Sequence, residues 1–239
     1  MTSTIRKLEQ LFREICVGSY PYEWDENHIS FLLMKGLREL FGKRRIHFNN
    51  WSKIVDWRSY KNKGRQETDY GDIALIVTIQ FSTGEVLRGV ACLEAKRDFK
   101  SGNFESMDLD QLRRLHGNLP YSHLLFYTHA ATELQLKFPD GNTWESHLWV
   151  SPINTAMVKL MQLHGNRNMD VLRTAFPLSM FLSARIFWGL DLDFRDEILQ
   201  DILGGMNRVI DPAYLGVVNV YYDHQRPLPI ELPVVWEEI

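Results

Sequence analysis

Between Glu26 and Phe41 the apolar residues Ile29, Leu32, Leu33, Leu37, Leu40 and Phe41 return every three or four positions, the period of one helix face. Asp25 stands where an N-cap belongs and Gly42 where such a helix should stop. The preceding chain, MTSTIRKLEQLFREICVGS, shows a mixed-charge version of the same period. Residues 45–57 carry alternating apolar positions that predict one strand and a polar connection, and residues 60–70 read as a polar, lysine-rich loop. Two β-rich runs follow, DIALIVTIQF (72–81) and EVLRGVACLEAK (85–96), joined by Ser82-Thr83-Gly84 as a hairpin. A short helix over 109–116 turns Leu109, Leu112 and Leu115 inward, and SHLLFYT (122–128) reads as a buried strand.

This order, helix, strand, hairpin, helix, strand, is αβββαβ and places the chain in the α/β class. Beyond it, 133–138 and 143–150 suggest a second hairpin across Pro139-Asp140-Gly141-Asn142. Helices are expected near 153–164, 177–190 and 193–204, and a last strand over 217–222. No repeat and no Gly, Ser or Pro-rich linker divides the chain. The expected organisation is an N-terminal helix (1–24), a core (25–130) and a C-terminal α+β extension (131–239) packed on it.

The hairpin turn determines which side chains meet. A three-residue loop closing on a left-handed glycine pairs Phe81 with Glu85. Counting back, Asp72 falls opposite Glu94, and Lys96 projects from the same face two residues on. The other face pairs Ile73 with Leu93, Leu75 with Ala91, Val77 with Gly89 and Ile79 with Leu87, an apolar set that must be core. A slip of one residue would mix the faces. Opposed like charges destabilise a sheet, so two facing carboxylates call for compensation. A hard divalent cation, Mg²⁺ or Mn²⁺, is the natural partner, because it takes one or two protein carboxylates and completes its shell with water and phosphate. A lysine beside such an ion can orient a water, stabilise developing charge or help remove a proton. Without a cation, the same trio is a salt-bridged cluster.

Charge is unevenly spread. The whole chain carries −3, yet residues 35–65 hold ten Lys or Arg (including Lys43, Arg44, Arg45, Lys61, Lys63 and Arg65) against two acids. After residue 120, eight basic residues face fourteen acidic ones. Such segregation suggests a face for a polyanion, here nucleic acid bordering the site. Two cysteines, Cys16 and Cys92, form no CxxC pair, and no run approaches the roughly 18 apolar residues of a membrane span. No membrane partner is therefore expected, and with no secretory h-region evident a cytoplasmic setting is.

The segments Gly71-Asp72-Ile73-Ala74-Leu75 and Cys92-Leu93-Glu94-Ala95-Lys96 closely resemble the PD-(D/E)XK, or restriction-endonuclease-like, nuclease superfamily. There an Asp opens the second core strand and E-x-K closes the third. Gln111 in DLDQLRRL resembles a glutamine that many members place beside the site, and Glu26 in DENHISFLL an acid some carry on the first core helix. One departure is Gly71 in place of the proline before the Asp. The resemblance spans roughly residues 25–130 and implies a mixed-sheet nuclease core. It also implies Asp72 and Glu94 as metal ligands, the Ala95 carbonyl as a further ligand and Lys96 acting on the attacking water. The implied activity is Mg²⁺- or Mn²⁺-dependent phosphodiester hydrolysis, with DNA the expected substrate. By analogy with small defence nucleases, the role would be restriction or anti-phage, with a partner protein or a homodimer. Glu67 and Asp69 are possible outer-shell groups.

Other signals carry less. Eight histidines form no HExxH or Cys/His cluster, no phosphate-binding glycine motif occurs, and Ser179, Ser183, His129 and His164 lack nucleophile-elbow spacing. The aromatic stripe Phe176, Phe181, Phe187, Trp188 reads as core. The rival to the enzyme is an inactive nuclease-fold module that binds nucleic acid or protein.

Overall fold

The computed structural model describes residues 2–48, 51–63, 71–99, 103–104, 107–137, 143–163, 168–203 and 212–239. Two helices open the chain, α1 (Thr2–Ser19) and α2 (Glu26–Phe41). Then come β1 (Arg44–Phe48), β2 (Trp51–Asn62), β3 (Ile73–Gln80), β4 (Val86–Arg97), α3 (Leu109–Asn118), β5 (His123–Lys137), β6 (Thr143–Pro152) and α4 (Ile153–Gln162). A 3-10 turn (Asn168–Thr174) leads to β7 (Phe176–Pro177) and α5 (Leu178–Met180), which passes into a π turn and a 3-10 turn ending at Trp188. Last are α6 (Asp196–Ile202), β8 (Tyr214–Tyr221) and β9 (Trp236–Glu238).

One mixed sheet runs β1-β2-β8-β3-β4-β5-β6-β7, with β9 extending the β1 side of β2. β8 is parallel to β3 and β4 to β5; the other pairs are antiparallel. The chain is thus α/β with a mixed sheet. β8, from the C-terminal half, is hydrogen-bonded between β2 and β3 at the centre of the sheet. Its residues are buried throughout, and apart from Asn219 it reads as the near-continuous apolar run typical of a strand covered on both faces.

The expected hairpin register holds. Pairs run from Ile73↔Leu93 to Gln80↔Val86, Phe81 N–H donates to the Glu85 carbonyl, and Gly84 takes φ 90°. Ile73, Leu75, Val77, Ala91 and Leu93 pack under Leu8 and Phe12 of α1 and Ile29, Leu33 and Leu37 of α2. The opposite face is also covered: Ala74, Ile76, Val90 and Cys92 meet Ile198 and Ile202 of α6, and further along Leu124 and Phe126 meet Leu112 and Leu115 of α3.

Several elements differ from expectation. The single strand expected at 45–57 is the two antiparallel strands β1 and β2, and β2 continues to Asn62, into the segment read as loop. The strands expected at 122–128 and 133–138 are one strand, β5, whose pairing with β6 is interrupted between Tyr127 and Thr132. The 177–190 helix is mostly irregular. Phe181, Leu182, Ile186 and Phe187 are all buried, leaving little polar face for a regular helix, and Gly189 ends it in the left-handed region. The aromatic stripe is core, with Phe181 and Phe187 inside it and Phe176 and Trp188 packed against it. No helix of the described residues is long and apolar enough to cross a membrane.

Candidate active site

Three elements meet where β4 ends. Asp25 caps α2 by accepting from the Asn27 and His28 N–H groups (3.0 and 3.2 Å), which fixes Glu26 in the first turn. The Tyr214 hydroxyl, at the start of β8, donates to the Asn27 carbonyl (2.9 Å) and ties that turn to the sheet. Asp108 caps α3 and places Gln111 over the strand end. The Tyr214 N–H donates to the Asp72 carbonyl (3.0 Å), which continues the β3–β8 ladder to the first site residue.

Asp72 and Glu94 extend the hairpin pairing by one step, on the face that α3 covers. Their carboxyls lie within hydrogen-bond reach of each other. Burial, then the Glu94 charge, pushes the Asp72 carboxyl up from 3.8 to about 7; the Ala95 N–H and Lys96 oppose that rise without cancelling it. Asp72 Oδ2 accepts the Ala95 N–H at 2.8 Å. Glu94 is 3% exposed. Its Oε1 accepts from Lys96 Nζ (2.7 Å) and Gln111 Nε2 (2.9 Å), while Oε2 is buried with no donor among the described residues. For Lys96, burial pulls the ammonium down, but Glu94, backed by Glu26 and Asp72, outweighs it and holds the group above the ordinary lysine value. Lys96 is thus held in its ammonium form beside Glu94.

Gly71 has its own reason. It takes φ 86°, and a Cβ there would sit 2.7 Å from the Leu93 carbonyl oxygen. Proline, locked near −65°, cannot adopt that turn, so glycine is required by the backbone that delivers Asp72.

Glu26 reaches the site from the opposite face. Its Oε1 accepts the Arg97 N–H at 3.0 Å, and its charge acts on Lys96. All five candidate side chains are therefore gathered at one strand end, with Glu26 holding the strand and not joining the Asp72–Glu94 pair. Glu67, Asp69 and Arg65 lie outside the described residues.

The donor set fits a hard divalent cation. Three carboxyls stand against one ammonium, one buried carboxylate oxygen lacks a donor, and its neighbour's proton affinity is raised. A strand residue's N–H and C=O point to the same side, so the Ala95 carbonyl faces the side where Asp72 holds its N–H. Among the described residues no group of three or more His, Cys, Asp or Glu is arranged to hold a metal. Two carboxylates and a carbonyl are nonetheless an ordinary protein contribution for Mg²⁺, which keeps most of its waters.

Sequence reasoning missed one feature beside the site. Asp98, 2% exposed, accepts from the His129 N–H and pairs with His129 Nδ1 at 2.9 Å, and His129 stacks on Tyr20 with centroids 4.7 Å apart. The alternation Glu94, Lys96, Asp98 was the available signal. Searches of protein-family models, curated proteins and solved structures find no match to the chain.

Proposed function

We propose that the chain is a metal-dependent phosphodiesterase of the PD-(D/E)XK type, acting on nucleic acid, with DNA the first substrate to try. The observation that carries this reading is the buried Asp72–Glu94 pair, in which Glu94 Oε2 has no donor among the described residues while a lysine and a glutamine hold Oε1. Also in support, α2, β2, β3, β4, α3 and β5 follow the αβββαβ order once the additional edge strand β1 is left out, with β3–β4 antiparallel and β4–β5 parallel. β8 stands between β2 and β3, so these two strands, consecutive in that order, do not pair directly.

Asp72, Glu94 and the Ala95 carbonyl would hold the cation. When bound, Mg²⁺ or Mn²⁺ supplies Lewis-acid polarisation and makes water a better nucleophile at neutral pH. Gln111 fixes Glu94 Oε1, which would leave Oε2 available to the cation. Lys96 Nζ puts a permanent positive charge beside the phosphoryl oxygens and orients the attacking water. Glu26 and Asp25 keep the Arg97 backbone, and so the strand end, in place. Crystals soaked in Mn²⁺ should show an anomalous peak between Asp72 and Glu94. Mn²⁺ found only elsewhere would remove the basis for this reading.

Strand register divides the basic stretch. Lys61 is level with Tyr214 and Ile73, at the site end of the sheet, and Lys63 follows it. Arg44 is level with Val55, Val220 and Ile79, at the far end, about 20 Å away at roughly 3.3 Å per residue. Arg45 is occupied there by Asp223 at 2.7 Å. Lys53 is 2% exposed, with its Nζ 4.8 Å from the Trp188 ring centroid. The expectation that Lys43, Arg44 and Arg45 border the site is therefore corrected: α2 starts at the site with Glu26 and ends at Phe41, so β1 opens with Arg44 and Arg45 level with Val55 and Ile54, well along β2 from Lys61. Changing Lys61 and Lys63 to Gln should lower the salt slope of nucleic-acid binding by up to about 1 for each lysine. Changing Lys43, Arg44 and Arg45 to Gln should leave it almost unchanged. Equal effects of the two sets, in binding titrations across salt, would contradict this placement.

A further inference from the structure

We infer that the rim of the site stacks an unpaired base, so that the substrate presents a single-stranded nucleic-acid segment; this rests on the nuclease reading and names its substrate class. Past Arg97 the chain leaves the β4 ladder and brings Phe99 out at 40% exposure. A lone exposed ring proves nothing, but this one has a position, a partner and a support. It follows Lys96 by three residues, about 10 Å of extended chain. The Arg97 guanidinium lies 5.2 Å from its centroid, so the ring is backed by a cation that also suits phosphate.

The support is a clasp between two segments. Trp24 Nε1 donates to the Asp98 carbonyl (2.7 Å), and the Arg97 guanidinium donates to the Trp24 carbonyl. The Phe99 N–H donates to the Asn103 carbonyl at 2.7 Å. The loop fastened by that clasp carries Tyr22, which is 97% exposed. Two aromatic rings thus sit on the two segments that the clasp ties together, one of them three residues past Lys96, with Arg97, Lys61 and Lys63 at the same end of the sheet. By contrast Phe194, also exposed, lies directly over Gly89, where its ring covers the sheet.

Bases inside a continuous duplex have both faces covered by their neighbours, so such rings can serve only a base that is unpaired or swung out. A single strand offers its bases without that cost, and side-chain stacking tolerates any base.

The test is fluorescence anisotropy in EDTA, where no cleavage interferes, with a labelled oligothymidylate, a duplex of equal length and an abasic strand of equal length. Wild type should bind the oligothymidylate more tightly than the duplex. Phe99→Ala and Tyr22→Ala should each weaken oligothymidylate binding by roughly 10-fold, the order expected for one lost stacking contact. Phe99→Trp should retain it, and neither alanine variant should change binding of the abasic strand. The inference is overturned if wild type prefers the duplex, or if the alanine variants weaken the abasic strand as much as the oligothymidylate. Because this readout needs no metal and no turnover, an inactive wild type would sink the nuclease reading without touching it.

Discussion

Lys96→Met should cut nucleic acid about 100- to 1000-fold more slowly than wild type, while still binding both the cation and the substrate. The size follows from what Lys96 does: a single preorganised charge, buried and held at 2.7 Å from Glu94, is removed from the place where phosphoryl charge builds. The same variant carries a second signature. Glu94 is left as a buried carboxylate without its ammonium, a change that costs about 3–5 kcal/mol where the remaining partner stays charged. In EDTA the variant should therefore melt well below wild type. Mn²⁺ should restore more stability to it than to wild type, because the ion no longer shares Glu94 with a lysine. Cleavage at the wild-type rate, with a lowered melting temperature that metal does not restore, would identify the trio as a structural salt bridge.

The second large effect concerns Asp72. Its carboxyl is raised from 3.8 to about 7 in the folded chain, so the folded state holds this proton more tightly than the unfolded state does. The stability that this supplies is complete below about pH 4 and is lost as pH rises through about 7. Metal-free wild type should consequently lose stability between about pH 5 and about pH 8. Asp72→Asn should lack this component. Asparagine can still accept the Ala95 N–H, whereas alanine would orphan it, and its amide can donate to the Glu94 oxygen that has no donor. In EDTA at about pH 8 the Asn variant should melt above wild type, by roughly 2–4 °C for each kcal/mol recovered. With Mn²⁺ the order should reverse, because only wild type gains from the ion. If both proteins show the same pH dependence in EDTA, the two carboxyls do not confront each other as described.

Much of the site was legible because its geometry is local. A three-residue turn closing on Gly84 fixes the β3–β4 register, and register alone brings Asp72 to Glu94 and Lys96 to the same face. Gln111 was legible through the family resemblance alone, and the structure brings its amide to Glu94 Oε1. The roles of Glu26 and Gly71 were only half readable. Glu26 acts through the Arg97 backbone, and Gly71 answers to the Leu93 carbonyl, neither of which a spacing can show.

What depends on distant pairing was hidden. Nothing in the apolar run of β8 says that it enters between β2 and β3, since any buried strand reads alike. The basic stretch misled for a related reason. Lys43 and Lys61 are close in sequence, but the register leaves Arg44, next to Lys43, beside Val55, six residues along β2 from Lys61. The clasp between Trp24 and Asp98 joins residues 74 positions apart and leaves no periodic trace.

The central claim is that Asp72 and Glu94 hold a divalent cation for phosphodiester cleavage. It is tested most directly by incubating end-labelled single-stranded and duplex DNA with purified protein in Mg²⁺, Mn²⁺ or EDTA, beside folded Asp72→Asn. The account predicts fragments with either metal, none in EDTA, and none from the variant under any condition. Fragments that persist in EDTA, or an Asp72→Asn protein that cuts as wild type does, would contradict it.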